Sequence, residues 1–146
     1  MHRRVVVVSG DAVLDDVRVE VAVNGGLMRG LAANARMLDV GGRYVRDAET
    51  EPRYRLWSKD DQYPVMILAL DGTGRSIAVE IWSLSPTGLV SLFLGEPEGL
   101  SLGKVRLEDG SVVLGVIGEP SEVQGEREIT AYGGWRTYVQ AEGIAG

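Results

Sequence analysis

Short runs of β-branched and apolar residues, broken every few positions by turn residues, set what this chain can fold into. Twenty valines are spread over its 146 residues. Two substituents on Cβ stiffen χ1 and suit a pleated, half-buried surface, so the pattern favours strands over helices. Residues 17–23 alternate and predict a strand with one wet face. Residues 43–46 and 54–57 predict two more, separated by an acidic loop at Glu51-Pro52. Residues 64–68 predict a fourth before the turn Asp71-Gly72-Thr73-Gly74, and 76–82 a further strong one. Residues 104–107 and 112–117 flank Glu108-Asp109-Gly110, and Asp-Gly between apolar runs is a hairpin signal.

Helix signals are fewer. Ser85-Pro86 offers an N-cap followed by proline at the first helical position, Leu89, Leu92 and Phe93 recur at helical spacing, and Gly95 or Pro97 stops the run. Residues 31–38 predict one or two helical turns, and 135–141 a short helix after Gly133-Gly134. No repeat, linker or low-complexity stretch divides the chain. Together these give an α+β domain, a small mixed β-barrel with one or two flanking helices. A single domain over 1–146 is expected, with 1–15 as an atypical N-terminal extension and 16–141 as the domain proper.

Composition removes most common chemistries. There is no cysteine and the single histidine is His2, which excludes a disulfide scaffold, thiolate catalysis, a Ser-His-Asp triad and a Cys- or His-based metal site. No cofactor or metal is expected. A net charge of −6 speaks against a nucleic-acid partner, which needs a basic face to release counterions. Four consecutive valines before Ser9-Gly10-Asp11 are too few for a signal-peptide core or a membrane span, so no membrane partner and a cytoplasmic location are expected. Carboxylate chemistry and anion binding by backbone amides remain.

Three segments can carry such chemistry. Asn24-Gly25-Gly26-Leu27-Met28-Arg29-Gly30 follows an apolar strand. Its glycines can take positive φ and turn several N–H groups to one point as an anion nest, with Arg29 as a charged partner; the same residues can also form a plain Asn-Gly turn. It lacks the lysine ending of a phosphate loop and the dinucleotide fingerprint. Glu80 sits mid-strand on one face with Ala78 and Trp82. Facing a barrel interior it is a desolvated carboxylate with a raised pKa, suited to acid/base work; facing water it is an ordinary strand residue. Glu96 and Glu98 follow the helix 85–95, where solvation is the simpler role. Residues 125–138 pack Gly, Trp and Tyr densely, so Tyr132 and Trp135 serve either as terminal packing or as a site wall. The pairs Asp15-Asp16 and Asp60-Asp61 lack calcium-loop spacing and read as solvated turns.

Taken in order, Asn24-Gly25-Gly26-Leu27-Met28-Arg29-Gly30, Tyr54-Arg55-Leu56-Trp57, Ala78-Val79-Glu80-Ile81-Trp82, Gly103-Lys104-Val105-Arg106-Leu107-Glu108-Asp109-Gly110 and Arg127-Glu128-Ile129-Thr130…Gly133-Gly134-Trp135-Arg136 resemble the C-terminal domain of allophanate hydrolase over about residues 18–140. The resemblance implies a gamma-glutamylcyclotransferase-like fold and a small-molecule site at the glycine loop. In the hydrolase an amidase domain cleaves allophanate, and the C-terminal domain acts on the N-carboxycarbamate product by decarboxylation during urea breakdown. Two departures stand out. The family reads Leu-Pro-Leu-Asn-His-Gln-Leu where this chain reads Leu31-Ala32-Ala33-Asn34-Ala35-Arg36-Met37, so Ala35 replaces a candidate catalytic histidine. Leu92-Phe93-Leu94-Gly95-Glu96 lacks the aspartate of the cyclotransferases' Leu-Asp-x-x-Glu stretch.

The resemblance thus implies that amides of Gly26, Leu27 and Met28 hold a small carboxylated metabolite. Asn24, Gly25 and Asn34 shape the loop and orient the ligand, Arg29 or Arg36 pairs with it, and Tyr54 and Glu80 line the cavity, Glu80 as the candidate catalytic group. Three functions follow: a decarboxylating relative, an amine-releasing cyclotransferase using Glu80 or Glu96, or a non-catalytic ligand-binding accessory subunit. The expected partners are a small anionic metabolite, a separate amidase subunit and a second copy of the chain as a homodimer.

Overall fold

Val19–Val23 (β1) is the strand around which the molecule is built. It runs antiparallel to Ala78–Leu84 (β5) on one side and parallel to Val112–Gly118 (β7) on the other. Arg43–Glu49 (β2) joins the free edge of β5 and Leu100–Arg106 (β6) that of β7, giving the order β2-β5-β1-β7-β6. This computed structural model describes residues 17–146; the expected extension 1–15 and the Asp15-Asp16 pair lie outside them.

A second sheet holds Tyr54–Lys59 (β3) between Tyr63–Leu68 (β4) and the two-residue Arg127–Glu128 (β8). A single bridge at Thr50–Leu107 joins the ends of β2 and β6, the two edge strands of the first sheet; a second at Tyr54–Arg75 ties β3 to the segment before β5, and β4 packs on β7. The expected mixed barrel is thus made of two sheets around one core that includes Leu56, Ile77, Ile81, Leu84, Val105 and Leu107. Burying each such side chain contributes about 1.5–3 kcal/mol.

The predicted wet face of β1 persists only at its start. Val21, Ala22 and Val23 are all buried, because β1 is central and covered on both sides. β5 behaves likewise: Val79, Glu80, Ile81 and Trp82 are buried in succession, so both faces of its alternation are covered.

Three short helices sit outside the sheets: Asn34–Asp39 (α1), Pro86–Leu94 (α2) and Trp135–Glu142 (α3). Ser85 caps α2 as the sequence predicts, its Oγ accepting from the Gly88 N–H at 3.0 Å. Leu89 and Leu92 face the core. Gly133 in the left-handed region (φ 75°) turns the chain into α3, whose Trp135 and Tyr138 are fully buried. Tyr132 stacks edge-on against Tyr138 at 5.1 Å, so the closing aromatic segment is packing.

Asp60 and Asp61 are the central residues of the turn Lys59–Gln62 between β3 and β4, both at positive φ (49° and 56°), and the Gln62 N–H closes it on Lys59 O at 2.9 Å. Asp61 accepts from the Tyr138 hydroxyl at 2.6 Å and the Ser58 hydroxyl at 2.7 Å, which pins α3 to the hairpin.

Candidate functional site

Beyond Val23 the chain leaves the sheet in two overlapping turns. The Met28 N–H donates to Gly25 O (3.0 Å), Leu31 N–H to Met28 O (3.2 Å) and Ala33 N–H to Gly26 O (2.9 Å). Glycine is needed at 25 for a reason other than the expected one. Neither Gly25 nor Gly26 has positive φ; that conformation falls to Gly30 at φ 76°. A Cβ at position 25 would instead sit 2.7 Å from the Pro64 ring, so the requirement is close approach of loop to β4.

Among the described residues, the N–H groups of Gly25, Gly26 and Leu27 meet no backbone or side-chain acceptor. The Met28 N–H, expected as part of the nest, is already used by Gly25. The three donors are therefore those of 25–27, one residue earlier than the sequence suggests. Asn34 supports them, its Nδ2 donating to Leu27 O at 2.8 Å. Asn24 is buried, and its Nδ2 ties the loop to Val116 O at 3.0 Å.

Asn24, Gly25, Gly26 and Leu27 line a cavity of about 400 Å³, with Tyr63, Arg36 and Glu96 on its other walls; Asn34 lines neither this cavity nor the wider cleft beyond the loop. Arg36 Nη1 lies 3.1 Å from Glu96 Oε2 and its Nη2 donates to Leu92 O, the end of α2. The Glu96 side chain is only 10% exposed, so it is a site wall rather than the solvated residue expected. The cavity is thus bordered by three amides without acceptors among the described residues and by the Arg36–Glu96 ion pair.

On the other side of the loop lies a wider, open cleft of about 730 Å³ lined by Met28, Arg29, Glu80 and Arg136 among others. Glu80 is 4% exposed and accepts four donors: Arg29 N–H (2.9 Å) and Trp82 Nε1 (3.0 Å) on Oε1, Arg29 Nε (3.2 Å) and Arg136 Nη2 (2.9 Å) on Oε2. Arg29 also reaches Asp47 at 2.8 Å and lies 3.6 Å above the Tyr44 ring. Desolvation pulls the Arg29 guanidinium down, but the hydrogen bond and charge of Glu80 outweigh it and hold Arg29 above its ordinary value.

The residues expected to form one site therefore separate. Asn24, Gly25, Gly26, Leu27 and Arg36 share the smaller cavity; Met28, Arg29 and Glu80 face the larger. Tyr54 lines neither: it is buried, and its hydroxyl accepts from the Arg106 N–H at 3.2 Å. Ala35 is exposed on α1 and lines neither cavity. Arg136 was not among the expected site residues, although a buried glutamate must recruit a cation. Among the described residues no three His, Cys, Asp or Glu side chains are grouped to hold a metal, and no helix is long and apolar enough to cross a membrane.

The family model of the allophanate hydrolase C-terminal domain matches residues 19–140. The solved structure of a uropathogenic E. coli-specific protein is 46% identical, covering 85% of this chain and 97% of that one, with a TM-score of 0.82. Allophanate hydrolase of Kluyveromyces lactis is 28% identical with a TM-score of 0.81, covering 85% of this chain and 21% of the hydrolase. Urea amidolyase of Saccharomyces cerevisiae is 31% identical over 129 residues, 84% of this chain, and the chain spans 7% of that protein's length. These likenesses carry the α+β, gamma-glutamylcyclotransferase-like arrangement.

Proposed function

The chain belongs to the family of allophanate hydrolase C-terminal domains, and from that premise we propose that it binds a small carboxylate-bearing metabolite of the urea and allophanate type in the cavity beside Gly25, Gly26 and Leu27. One observation carries this reading: three consecutive amide donors without acceptors among the described residues border a cavity that also holds Arg36. Neutral amides and one guanidinium suit a small anion without fixing a large charge in the empty site.

The reaction this cavity can support is decarboxylation of an N-carboxycarbamate-type anion. One carboxylate stays on the loop amides while the C–N bond to the other breaks; the electron pair remains on nitrogen, which then takes a proton, and CO2 leaves. The protein's share is binding and removal of water from the departing carboxylate. Ala35, in place of the family histidine, makes this share the whole of what the chain is proposed to supply. A second reading has one specific observation in its favour: Glu96, in the same cavity and largely buried, is placed for the acid/base step of an amine-releasing cyclotransferase.

The test is thermal stabilisation by malonate, a stable dicarboxylate of the right size. Malonate is expected to raise the melting temperature of the wild-type protein and to leave Gly26→Trp, whose indole would occupy the cavity, unmoved. Equal stabilisation of the two proteins refutes the site. A Glu96→Gln variant that keeps malonate binding and loses turnover of a gamma-glutamyl amine would establish the second reading.

A further inference from the structure

The cleft beyond the loop holds the larger charge network, and its buried carboxylate is the group first expected to do acid/base chemistry. Its hydrogen bonds assign it another task. A carboxylate has roughly four lone-pair positions, and Glu80 receives four donors. No acceptor position is left for a substrate proton unless a contact to Trp82, Arg29 or Arg136 is given up.

Two of these contacts grip the backbone of the glycine loop. Glu80 Oε1 takes the N–H of Arg29 at 2.9 Å, and Arg136 Nη1 donates to the carbonyl of the same residue at 2.8 Å. Glu80 and Arg136 are themselves joined at 2.9 Å. Residue 29 is thus held at both its peptide groups by one ion pair from β5 and α3. Arg29 is one turn past Gly25, Gly26 and Leu27, and the intervening Met28 N–H is bonded to Gly25 O. At the other end the loop is tied by Asn24 to Val116 O. With both ends fixed, the three amides keep one geometry before any ligand arrives.

We propose that Glu80 and Arg136 act as a clamp that positions the Gly25, Gly26 and Leu27 amides for the anion, with Glu80 a positioning residue rather than an acid or base. This rests on the anion-binding reading of the smaller cavity. Neither clamp residue lines that cavity, so its influence on a ligand there passes through the loop.

Two readouts separate the clamp from the site it serves. Amide hydrogen exchange without ligand tests the clamp alone. In Glu80→Gln the hydrogen-bonded amides of the loop, those of Met28, Arg29, Leu31 and Ala33, should exchange at least tenfold faster, while those of β3 and β4 stay unchanged. Malonate titration tests the linkage: affinity should fall at least tenfold in Glu80→Gln and Arg136→Ala and recover in part in Arg136→Lys, which keeps one donor of the pair. Loop exchange unaltered in both Glu80→Gln and Arg136→Ala overturns the clamp, whatever malonate does. Faster loop exchange in a protein that binds no malonate even as wild type upholds the clamp and removes the anion site. Faster exchange with undiminished malonate affinity overturns the positioning role. Should Glu80→Gln fail to fold, Arg136→Ala, which leaves Glu80 with three donors, decides by the same exchange measurement.

Discussion

The two hollows on either side of the glycine loop are separated by a single stretch of backbone, yet they treat hydrogen-bond donors in opposite ways. In the cleft, the donors around Glu80 are already matched to acceptors: both its oxygens are filled and Arg29 is shared between Glu80 and Asp47. In the smaller cavity, three amides stand without acceptors among the described residues. A satisfied network rigidifies; an unsatisfied group waits for a partner and makes binding favourable when one arrives. The contrast teaches that burial of a charged residue does not by itself mark the reactive side of a site.

The largest test of that contrast compares the two buried glutamates. Glu80→Leu leaves the Trp82 and Arg29 N–H groups unpaired, Arg136 without its carboxylate and Arg29 with Asp47 alone. Arg29 and Arg136 keep solvent contact (48% and 36% of their side chains), so the expected loss is about 2–3 kcal/mol in urea unfolding, below that for a fully enclosed pair. Glu96→Leu removes one carboxylate with a single ion-pair partner and should cost less than about 1 kcal/mol. Equal losses would erase the distinction between the two hollows.

A smaller effect sharpens it. Asn34→Ala removes the bond to Leu27 O and should cost about 1 kcal/mol. Malonate should also bind more weakly to this variant, because the lost contact borders the free amides; calorimetry on the same sample reads both. A change in stability with malonate affinity intact would confine Asn34 to packing.

The smallest effect is expected at Asp61, which lines neither hollow although its neighbour Gln62 borders the smaller one. Asp61 is held below its ordinary 3.8, first by the Tyr138 hydroxyl and then by Ser58. Its folded value lies below its unfolded one, so its contribution is present above the unfolded value and is lost as pH falls below about 4 through the folded one. Asp61→Asn, which tolerates the same left-handed backbone, should flatten part of the acid limb of stability against pH and leave malonate affinity at pH 7 unchanged. Glu128, lowered chiefly by Arg55, and Glu142, lowered chiefly by Arg127, keep the rest of that limb.

Much of the scaffold could be read from local pattern. The alternation at 76–82, the Ser85-Pro86 cap and the Asp-Gly hairpin at 109–110 each depend on neighbours a few residues away, and each stands where expected. What escaped depends on partners distant in sequence. Glu80 shares a face with Trp82 in any strand; whether that face is wet is decided by Arg29 and Arg136, 51 and 56 residues away. Tyr54 lies in a motif of the family resemblance, but its hydroxyl is claimed by the Arg106 amide, 52 residues on. The glycine loop follows β1 as the sequence predicts, but the reason for glycine at 25, close approach to Pro64, is visible only once β4 lies beside it.

Arg136 meets the Arg29 carbonyl across 107 positions of chain, and β1 finds its parallel neighbour β7 only after about three-quarters of the 146 residues have been laid down. Contacts of such separation form late, after the nearer hairpins have condensed. In order of synthesis the glycine loop precedes α3, so the backbone of Arg29 is made long before Arg136, whose guanidinium meets its carbonyl. A chain shortened before α3 would keep Asn24, Gly25, Gly26 and Leu27 and lose that contact.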